Sequence, residues 1–152
     1  MKYIIDSSAV IDMKHFYPDI FPSIWKKINE LVINKEIISV KEAYHEITGR
    51  SDFLSEWAKE NETIFEIPTE DEYKTVSYIM SKHKELVRND SISGGRHVAD
   101  PFLIAKALSK KLFLITNETF TPNGHKIPNV CKELNVRCMN LEEFMLNEGW
   151  EF

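Results

Sequence analysis

Hydrophobic and polar positions along the chain follow two alternating patterns, short apolar runs and longer segments with helical spacing. Apolar runs rich in β-favouring residues predict strands at 2–6 (KYIID), 36–40 (EIISV), 112–118 (LFLITNE) and 136–140 (VRCMN). Apolar residues at helical spacing predict helices at 21–36, 41–47, 51–61, 68–87, 99–111, 127–134 and 141–149. Because helices separate the strands, the connections are crossovers, and we predict an α/β fold with three layers, α/β/α, around a central parallel sheet.

Two helix starts carry signals of their own. Thr69, with Glu72 three residues later, forms a capping-box pattern at the start of its helix. Asp100 is the predicted N-cap of a later helix, with Pro101 at the first helical position. Asn, Asp, Ser and Gly cluster in segment 88–98, which is the one clear loop of any length.

Length and composition predict one domain that spans residues 1–152, with an ordinary hydrophobic fraction of 43%. No apolar run reaches the ~18 residues that a membrane-spanning helix needs. Asp6 and Asp12 interrupt the apolar start, which argues against a signal peptide, so we expect a cytoplasmic protein with no membrane partner. Cys131 and Cys138 form no CxxC pair and are expected to be reduced thiols.

The formal net charge of −5 argues against a strongly electropositive nucleic-acid binder. It does not exclude a nucleic-acid enzyme whose acids are masked by divalent cations. Basic residues concentrate in two places, and the simplest interpretation of both is a solvated helix face. The first group is Lys82, Lys84 and Arg88, and the second is Lys106, Lys110 and Lys111.

Four acids stand out by their positions in the predicted elements. Asp6 ends the first strand, Glu46 lies on the helix after the second strand, Asp100 starts a helix, and Glu118 follows a later strand. A parallel sheet gathers ligands beyond the carboxyl ends of its strands, so the fold can bring these acids together. Each acid also has an ordinary alternative: Asp6 as the cap of a helix that begins near Ser7, Glu46 as an exposed helix residue, Asp100 as an N-cap, and Glu118 in a solvated turn.

Gathered carboxylates repel one another, and crowding raises the pKa of some of them. A hard divalent cation resolves this repulsion, and Mg²⁺ or Mn²⁺ takes oxygen ligands of this kind. Such ions activate water and neutralise charge that develops at phosphorus. The histidines at positions 15, 83 and 125 lack partners at metal-ligand spacing, which argues against zinc.

Four pieces of the sequence, in this order and at this spacing, resemble the PIN domain, a nuclease fold; they are IIDSSAV, SVKEAYHEI, HVADPFLIAKAL and LITNE. The resemblance runs from Met1 to about Asn140. The later piece KIPNVCKELNVRCMNLEEF is similar to an uncharacterised PIN-like subgroup. The resemblance implies a PIN-like α/β/α fold and a ribonuclease that depends on Mg²⁺ or Mn²⁺. Many bacterial and archaeal members are toxins of toxin–antitoxin pairs.

The resemblance places the family's four acids at Asp6, Glu46, Asp100 and Glu118. Ser7 or Ser8 matches the hydroxyl that usually follows the first acid, and Asn117 matches the polar residue before the fourth; the resemblance makes all three candidate substrate-binding residues. Arg96 and His97 end the glycine-containing loop and are candidate phosphate contacts, with incidental basic residues as the alternative.

Two departures from the family pattern bear on the number of metal ions. The fourth acid is more often Asp, whereas Glu118 is one methylene longer. The family often has a further acid within the turn after the third, and here that turn is PFLI, without an acid. Occupancy of a second metal site is therefore left open.

The resemblance implies that Asp6 and Asp100 hold the metal ion, with Glu46 and Glu118 acting as ligands or through water, and RNA as the substrate. It also implies an antitoxin as partner, and a homodimer is a further expectation. The aromatic candidates for such contacts are Phe16, Tyr17, Phe21 and Trp25. The alternative is that most of these side chains pack in the core. The alternative function is a non-catalytic PIN-like module that binds RNA or protein. A phosphotransfer domain is disfavoured, because Ser8 stands where the haloacid-dehalogenase pattern needs a second Asp.

Overall fold

The computed structural model describes residues 1–86, 89–90, 95–96 and 98–152, and for 89–90 and 95–96 it describes the backbone alone. The strands are β1 (Tyr3–Ile5), β2 (Ile37–Val40), β3 (Phe65–Glu66), β4 (Asn89–Asp90), β5 (Gly95–Arg96), β6 (Phe113–Ile115) and β7 (Cys138–Met139). The α-helices are α1 (Ser7–Asp12), α2 (Pro22–Ile33), α3 (Lys41–Thr48), α4 (Phe53–Glu60), α5 (Glu70–Lys82), α6 (Ala99–Lys110), α7 (Ile127–Glu133) and α8 (Leu141–Asn147). Short 3₁₀ turns occupy Met13–His15, Glu62–Ile64 and Lys84–Leu86.

Five strands form one parallel sheet in the order β3–β2–β1–β6–β7. Tyr3 of β1 is in register with Ile37 on one side and with Phe113 on the other. Helices connect these strands because parallel neighbours need crossovers. The predicted three-layer α/β/α fold with a central parallel sheet is confirmed.

The two faces of the sheet support separate parts of the core. Side chains alternate along a strand, so Ile4 and Leu114 point to the face covered by α5, α6 and α7. Tyr3, Ile5 and Ile115 point to the opposite face, which α1, α2, α4 and α8 cover. This two-sided burial is the reason that the strands read as continuous apolar runs.

The region from Lys82 to Asp100 differs from the predicted elements. The helix predicted at 68–87 ends at Lys82 and gives way to the 3₁₀ turn at Lys84–Leu86. Within the predicted loop 88–98, β4 and β5 pair as a small antiparallel sheet, and residues 91–94 and 97 lie outside the described residues, as does Arg88 of the first basic group. Asp100 is not an N-cap, because α6 already begins at Ala99 and Asp100 is its second residue.

The capping box predicted at Thr69 forms only in part. The Thr69 hydroxyl accepts a hydrogen bond from the Glu72 amide at 3.2 Å. The Glu72 carboxylate accepts from the Thr69 hydroxyl at 2.8 Å instead of from the Thr69 amide. Its other oxygen lies 2.6 Å from the ammonium of Lys106. The reciprocal half of the box is lost because Glu72 pairs with α6.

Lys106 contradicts the prediction of a solvated basic face on α6. It is 1% exposed and lies among buried apolar residues, where Glu72 neutralises its charge. The other two lysines of that group, Lys110 and Lys111, are exposed. A buried Lys requires a paired acid, and that acid comes from α5.

The early aromatic residues divide between core and surface. Trp25 is buried and Phe16 is half-buried, whereas Tyr17 and Phe21 are exposed. The alternative of core packing therefore holds for Trp25, and Tyr17 and Phe21 are the exposed candidates for partner contacts. Among the residues that the structure describes, no helix is long and apolar enough to cross a membrane.

Candidate functional site

The strand order reverses between β1 and β6, which lie side by side although most of the chain separates them. The chain adds β2 and β3 on one side of β1, then returns to place β6 and β7 on the other. Open α/β sheets bind ligands at such a switch point, outside the carboxyl ends of the strands. Asp6 follows β1 there, and Thr116 follows β6.

Asp6 is buried at this switch point, with 2% of its surface exposed. Its Oδ2 atom accepts hydrogen bonds from the hydroxyls of Ser8 at 2.6 Å and Thr116 at 2.9 Å. Burial raises the pKa of Asp6, and these two hydroxyls oppose the rise. Asp6 occupies the N-cap position of α1, yet its side chain makes no capping hydrogen bond. The carboxylate is thus held by side-chain hydroxyls.

Asp100 lies in the first turn of α6 and is 8% exposed. Its pKa is raised to about 9, first by burial and then by the charges of Asp6, Glu118 and Glu46. The effect of three acids on the fourth means that all four predicted acids lie within electrostatic range of Asp100.

Ser7 connects two of these acids. Its hydroxyl donates a short hydrogen bond to Oε2 of Glu46 and lies 3.4 Å from Oδ1 of Asp6. Ser7 is buried at the start of α1, whereas Glu46 comes from the last turn of α3. The hydroxyl therefore fixes the Glu46 carboxylate relative to the strand exit of β1.

Glu118 is held by the helix that follows it. Its Oε2 atom accepts a hydrogen bond from the amide of Ile127, the first residue of α7, at 3.0 Å. Its own amide donates to the Thr116 hydroxyl at 3.2 Å. A free amide at a helix N-terminus favours a negative partner, so α7 both positions and stabilises this carboxylate.

Asn117 makes three hydrogen bonds inside the fold. Its side-chain amide donates to Asp12 at 2.6 Å, and its side-chain oxygen accepts from the Leu141 amide at 3.1 Å. Its backbone amide lies 3.3 Å from the Ser8 hydroxyl. These bonds connect the segment after β6 to α1 and α8, and they fix the backbone between Thr116 and Glu118.

Two of the predicted substrate contacts fall where side chains are not described. His97 lies outside the described residues, and Arg96 is described only as backbone in β5. Their predicted role as phosphate contacts stays a prediction.

Thr116 is the site residue that sequence reasoning missed. It is 2% exposed, and its hydroxyl donates to Asp6 while accepting from the Glu118 amide. Its position directly after an apolar strand was a usable signal, since polar residues at strand exits face the ligand edge of a parallel sheet.

The donor set of the site fits a hard divalent cation. All four gathered side chains offer carboxylate oxygens, and a cation among them would relieve the repulsion that raises the pKa of Asp100. Among the residues that the structure describes, no group of three or more His, Cys, Asp or Glu is close enough to hold an ion as it stands. The acids lie within electrostatic range of Asp100 but not within ligand distance of one common ion. Binding an ion would therefore require their carboxylates to move closer together.

A cleft of about 400 Å³ opens beside the acids and is lined in part by Asp100 and Glu118. This volume is within the usual range of small-ligand sites. Two of the four acids are therefore accessible from a cavity large enough for part of a substrate.

Comparison with protein families gives a match over residues 3–152, to a family described as "Domain of unknown function (DUF4411)". The chain belongs to the DUF4411 family. A comparison of its sequence with curated proteins gives no match. The fold of this DUF4411 chain is PIN-like, as the sequence resemblance predicts.

One solved structure agrees with this chain in fold at low sequence identity. A chain of VapBC2 from Rickettsia felis, bound to a DNA fragment from their promoter, has a TM-score of 0.56 and 14% identity. The similarity covers 92% of the DUF4411 chain and 98% of that chain. PAE2754 from Pyrobaculum aerophilum has a TM-score of 0.48 and 13% identity, over 90% of this chain and 97% of that chain.

Asp100 should make the stability of the metal-free chain depend on pH. Its folded-state pKa of about 9 lies above the ordinary 3.8, so between these values the folded chain keeps a proton that the unfolded chain has lost. Stability should therefore fall as pH rises from about 4 toward 9. Asp100→Asn should flatten this decline and raise the Tm at pH 8 in EDTA by at least ~2–4 °C, the equivalent of ~1 kcal/mol.

The measurement is thermal unfolding of both proteins in EDTA across that pH range. Asp19→Asn, which changes an exposed acid outside the site, is the control and should follow the wild type. If the Tm of wild type and of Asp100→Asn changed with pH in parallel, the assignment of a raised pKa to Asp100 would be wrong.

Proposed function

We propose that this protein is a metal-dependent ribonuclease that cleaves RNA phosphodiesters. The observation that supports the proposal is that the charges of Asp6, Glu118 and Glu46 add to burial in raising the pKa of Asp100, so the four acids lie within electrostatic range of one another. Gathered buried carboxylates are costly unless a cation compensates them, and perturbed acids of this kind concentrate at functional sites.

In this proposal Asp6 and Asp100 hold Mg²⁺ or Mn²⁺, and Glu46 and Glu118 complete the site directly or through water. When bound, the ion would activate water for attack on the phosphodiester and neutralise charge that develops at phosphorus. The number of ions is left open by the sequence, since the turn after Asp100 has no second acid.

Hydroxyls and a helix hold the proposed ligands in place. Ser8 and Thr116 hold the Asp6 carboxylate through its Oδ2 atom, and the Ser7 hydroxyl lies 3.4 Å from its Oδ1 atom. Ser7 orients Glu46, and the first amide of α7 orients Glu118. Supporting contacts of this kind set the direction of metal ligands and their basicity.

The purified protein should cleave single-stranded RNA in the presence of Mn²⁺ or Mg²⁺, and EDTA should abolish the cleavage. The expectation follows from carboxylate ligands that need an ion before they can act on a phosphodiester. Gel electrophoresis of a labelled RNA gives the rate with each ion and after chelation. RNA that stays intact with both ions, in a preparation that binds Mn²⁺, would contradict the ribonuclease proposal.

A non-catalytic PIN-like module that binds RNA or protein is the second candidate. It is favoured by the finding that no three metal-ligating side chains among the described residues are already in contact distance of one ion. Binding of RNA without cleavage in the same assay would identify this function.

We further propose that the protein is the toxin of a toxin–antitoxin pair, acting in the cytoplasm as one domain over residues 1–152. The likeness in fold to VapBC2 from Rickettsia felis supports this proposal. The antitoxin would be its protein partner, and Tyr17 and Phe21 remain exposed candidates for an antitoxin or homodimer contact.

A further inference from the structure

The cleft beside the acids is also lined by residues of the loop between β6 and α7. We call this part the loop wall, and it consists of Thr121, Asn123, Gly124, His125 and Lys126. Two of its five residues, His125 and Lys126, are of basic types, although the whole chain carries a net charge of −5. A strand of nucleic acid approaching an acidic protein needs a local cation, because overall attraction is lacking.

Lys126 is that cation. It is exposed, lines the cleft, and makes no ion pair with any residue that the structure describes. It directly precedes Ile127, whose amide binds the Glu118 carboxylate at 3.0 Å. Its carbonyl accepts from the Val130 amide at 3.1 Å, which fixes its backbone at the start of α7. Lys126 therefore lines the same cleft as Asp100 and Glu118 and is not itself a proposed metal ligand.

His125 offers a flat surface at the same place. Its side chain is 44% exposed, and its Nδ1 atom lies 3.7 Å from Oε2 of Glu85. Its ring centroid is 5.9 Å from that of His83, whose Nε2 atom contacts Glu133 of α7 at 2.8 Å. These contacts hold the ring in position while part of it faces the cleft, and unstacked bases of single-stranded RNA stack on rings of this kind.

We propose that the loop wall is a subsite for the nucleotide next to the scissile phosphodiester, in which Lys126 binds its phosphate and His125 stacks on its base. The inference rests on the proposed ribonuclease function and adds the residues that position the strand. The cleft of about 400 Å³ limits the subsite to a small part of the strand. Lys126 and His125 are positioning residues, because the acids perform the reaction.

The first test measures binding of a labelled single-stranded RNA by fluorescence anisotropy at several salt concentrations, in an Asp6→Asn background that prevents cleavage. Lys126→Met should weaken binding about tenfold and reduce the slope of log affinity against log salt by ~0.7, the loss of one phosphate contact on a single strand. Lys126→Arg should keep both values. Lys74→Met, which removes an exposed Lys of α5 that does not line the cleft, is the matched control.

His125 is tested in the same assay by a pair of substitutions. His125→Ala should weaken binding about fivefold or more, because stacking of one base contributes at least this much. His125→Phe keeps an aromatic ring and should retain most of the affinity. Equal loss in both variants would contradict a stacking role.

The second test separates the subsite from the metal centre. With Asp6 intact, Lys126→Met should raise KM for RNA about tenfold, leave kcat within about twofold, and leave the Mn²⁺ affinity measured by calorimetry unchanged. A loss of Mn²⁺ affinity would overturn the proposal, because the Lys would then act on the metal site. If wild type cleaves RNA while Lys126→Met behaves like Lys74→Met, the subsite is wrong and the ribonuclease function stands. If wild type neither binds nor cleaves RNA, both fail.

Discussion

Asp6→Asn is expected to abolish metal-dependent RNA cleavage, with a loss of at least ~100-fold, while the fold is retained. Even outer-shell partners of a metal ligand contribute ~10–100-fold, so removal of a ligand's charge should cost more. The Asn side chain keeps the size of Asp6 and an oxygen that can still accept from Ser8 and Thr116. The rate with Mn²⁺ and the far-UV circular dichroism of both proteins measure the two parts of this prediction.

Removal of the Asp6 charge should also leave the metal-free protein at least as stable as wild type. Asp6 is buried and its charge raises the pKa of Asp100, so the substitution relieves a repulsion. A variant that is inactive merely because it unfolds would instead lose stability. Asp19→Asn is the control for activity and should cleave at the wild-type rate.

The same substitution tests the proposed toxin. Expression of the wild-type chain should arrest growth, and Asp6→Asn should restore it. Wild-type activity in purified Asp6→Asn would refute the metal-site assignment. Growth that is unaffected by an active wild-type enzyme would refute the toxin role alone.

Lys106→Ala is expected to lower the free energy of unfolding by ~3–5 kcal/mol. Lys106 and Glu72 are each 1% exposed and lie 2.6 Å apart. The Lys ammonium also lies 3.4 Å from Glu66 and 3.3 Å from the carbonyl of Ile67. Removing it leaves the Glu72 carboxylate buried without its counter-ion, and urea unfolding at neutral pH measures the loss.

Two variants distinguish the loss of a counter-ion from the loss of packing. Lys106→Met combined with Glu72→Met should recover at least half of the lost stability, because apolar residues of similar volume replace a buried pair at little cost. Lys74→Ala removes an exposed Lys whose ion pair is 4.0 Å long and should change stability by less than ~0.5 kcal/mol. Equal losses in Lys106→Ala and the double variant would assign the effect to packing.

The Lys106–Glu72 pair should also contribute to unfolding in acid. Burial pushes the pKa of Glu72 upward, but hydrogen bonds from Lys106 and Thr69 outweigh it and hold the pKa below 4.5. As pH falls, the unfolded chain takes up this proton at a higher pH than the folded chain does. The stabilisation from the pair is therefore fully present above about 4.5, and it is lost as pH falls from there through the lowered folded-state pKa of Glu72.

The local pattern of apolar and polar residues was enough to predict most of the strands and helices. Apolar runs at 2–6 and 112–118 contain β1 and β6, and the acids and hydroxyls that follow them lie at the carboxyl edge of the sheet. The helical spacing around Ile24, Ile28 and Leu31 contains α2, whose buried face has these residues. Such local patterns suffice because side-chain periodicity sets which face of an element is buried.

Helix ends were less well determined. Asp100 has every local property of an N-cap, yet α6 begins one residue earlier and Asp100 is buried in its first turn. A capping preference contributes only ~1 kcal/mol, so tertiary packing readily moves a boundary by a residue.

The sequence by itself determined the alternation of strands and helices, the parallel sheet, and the four acids that the family resemblance places at one site. Only the tertiary structure decided the burial of Lys106, the hydroxyl of Thr116 on Asp6, and the placement of Lys126 beside Glu118. The physical reason is that each depends on partners distant in sequence. Burial, charge pairing and pKa depend on which elements pack together, and a local pattern of residues contains no record of those partners.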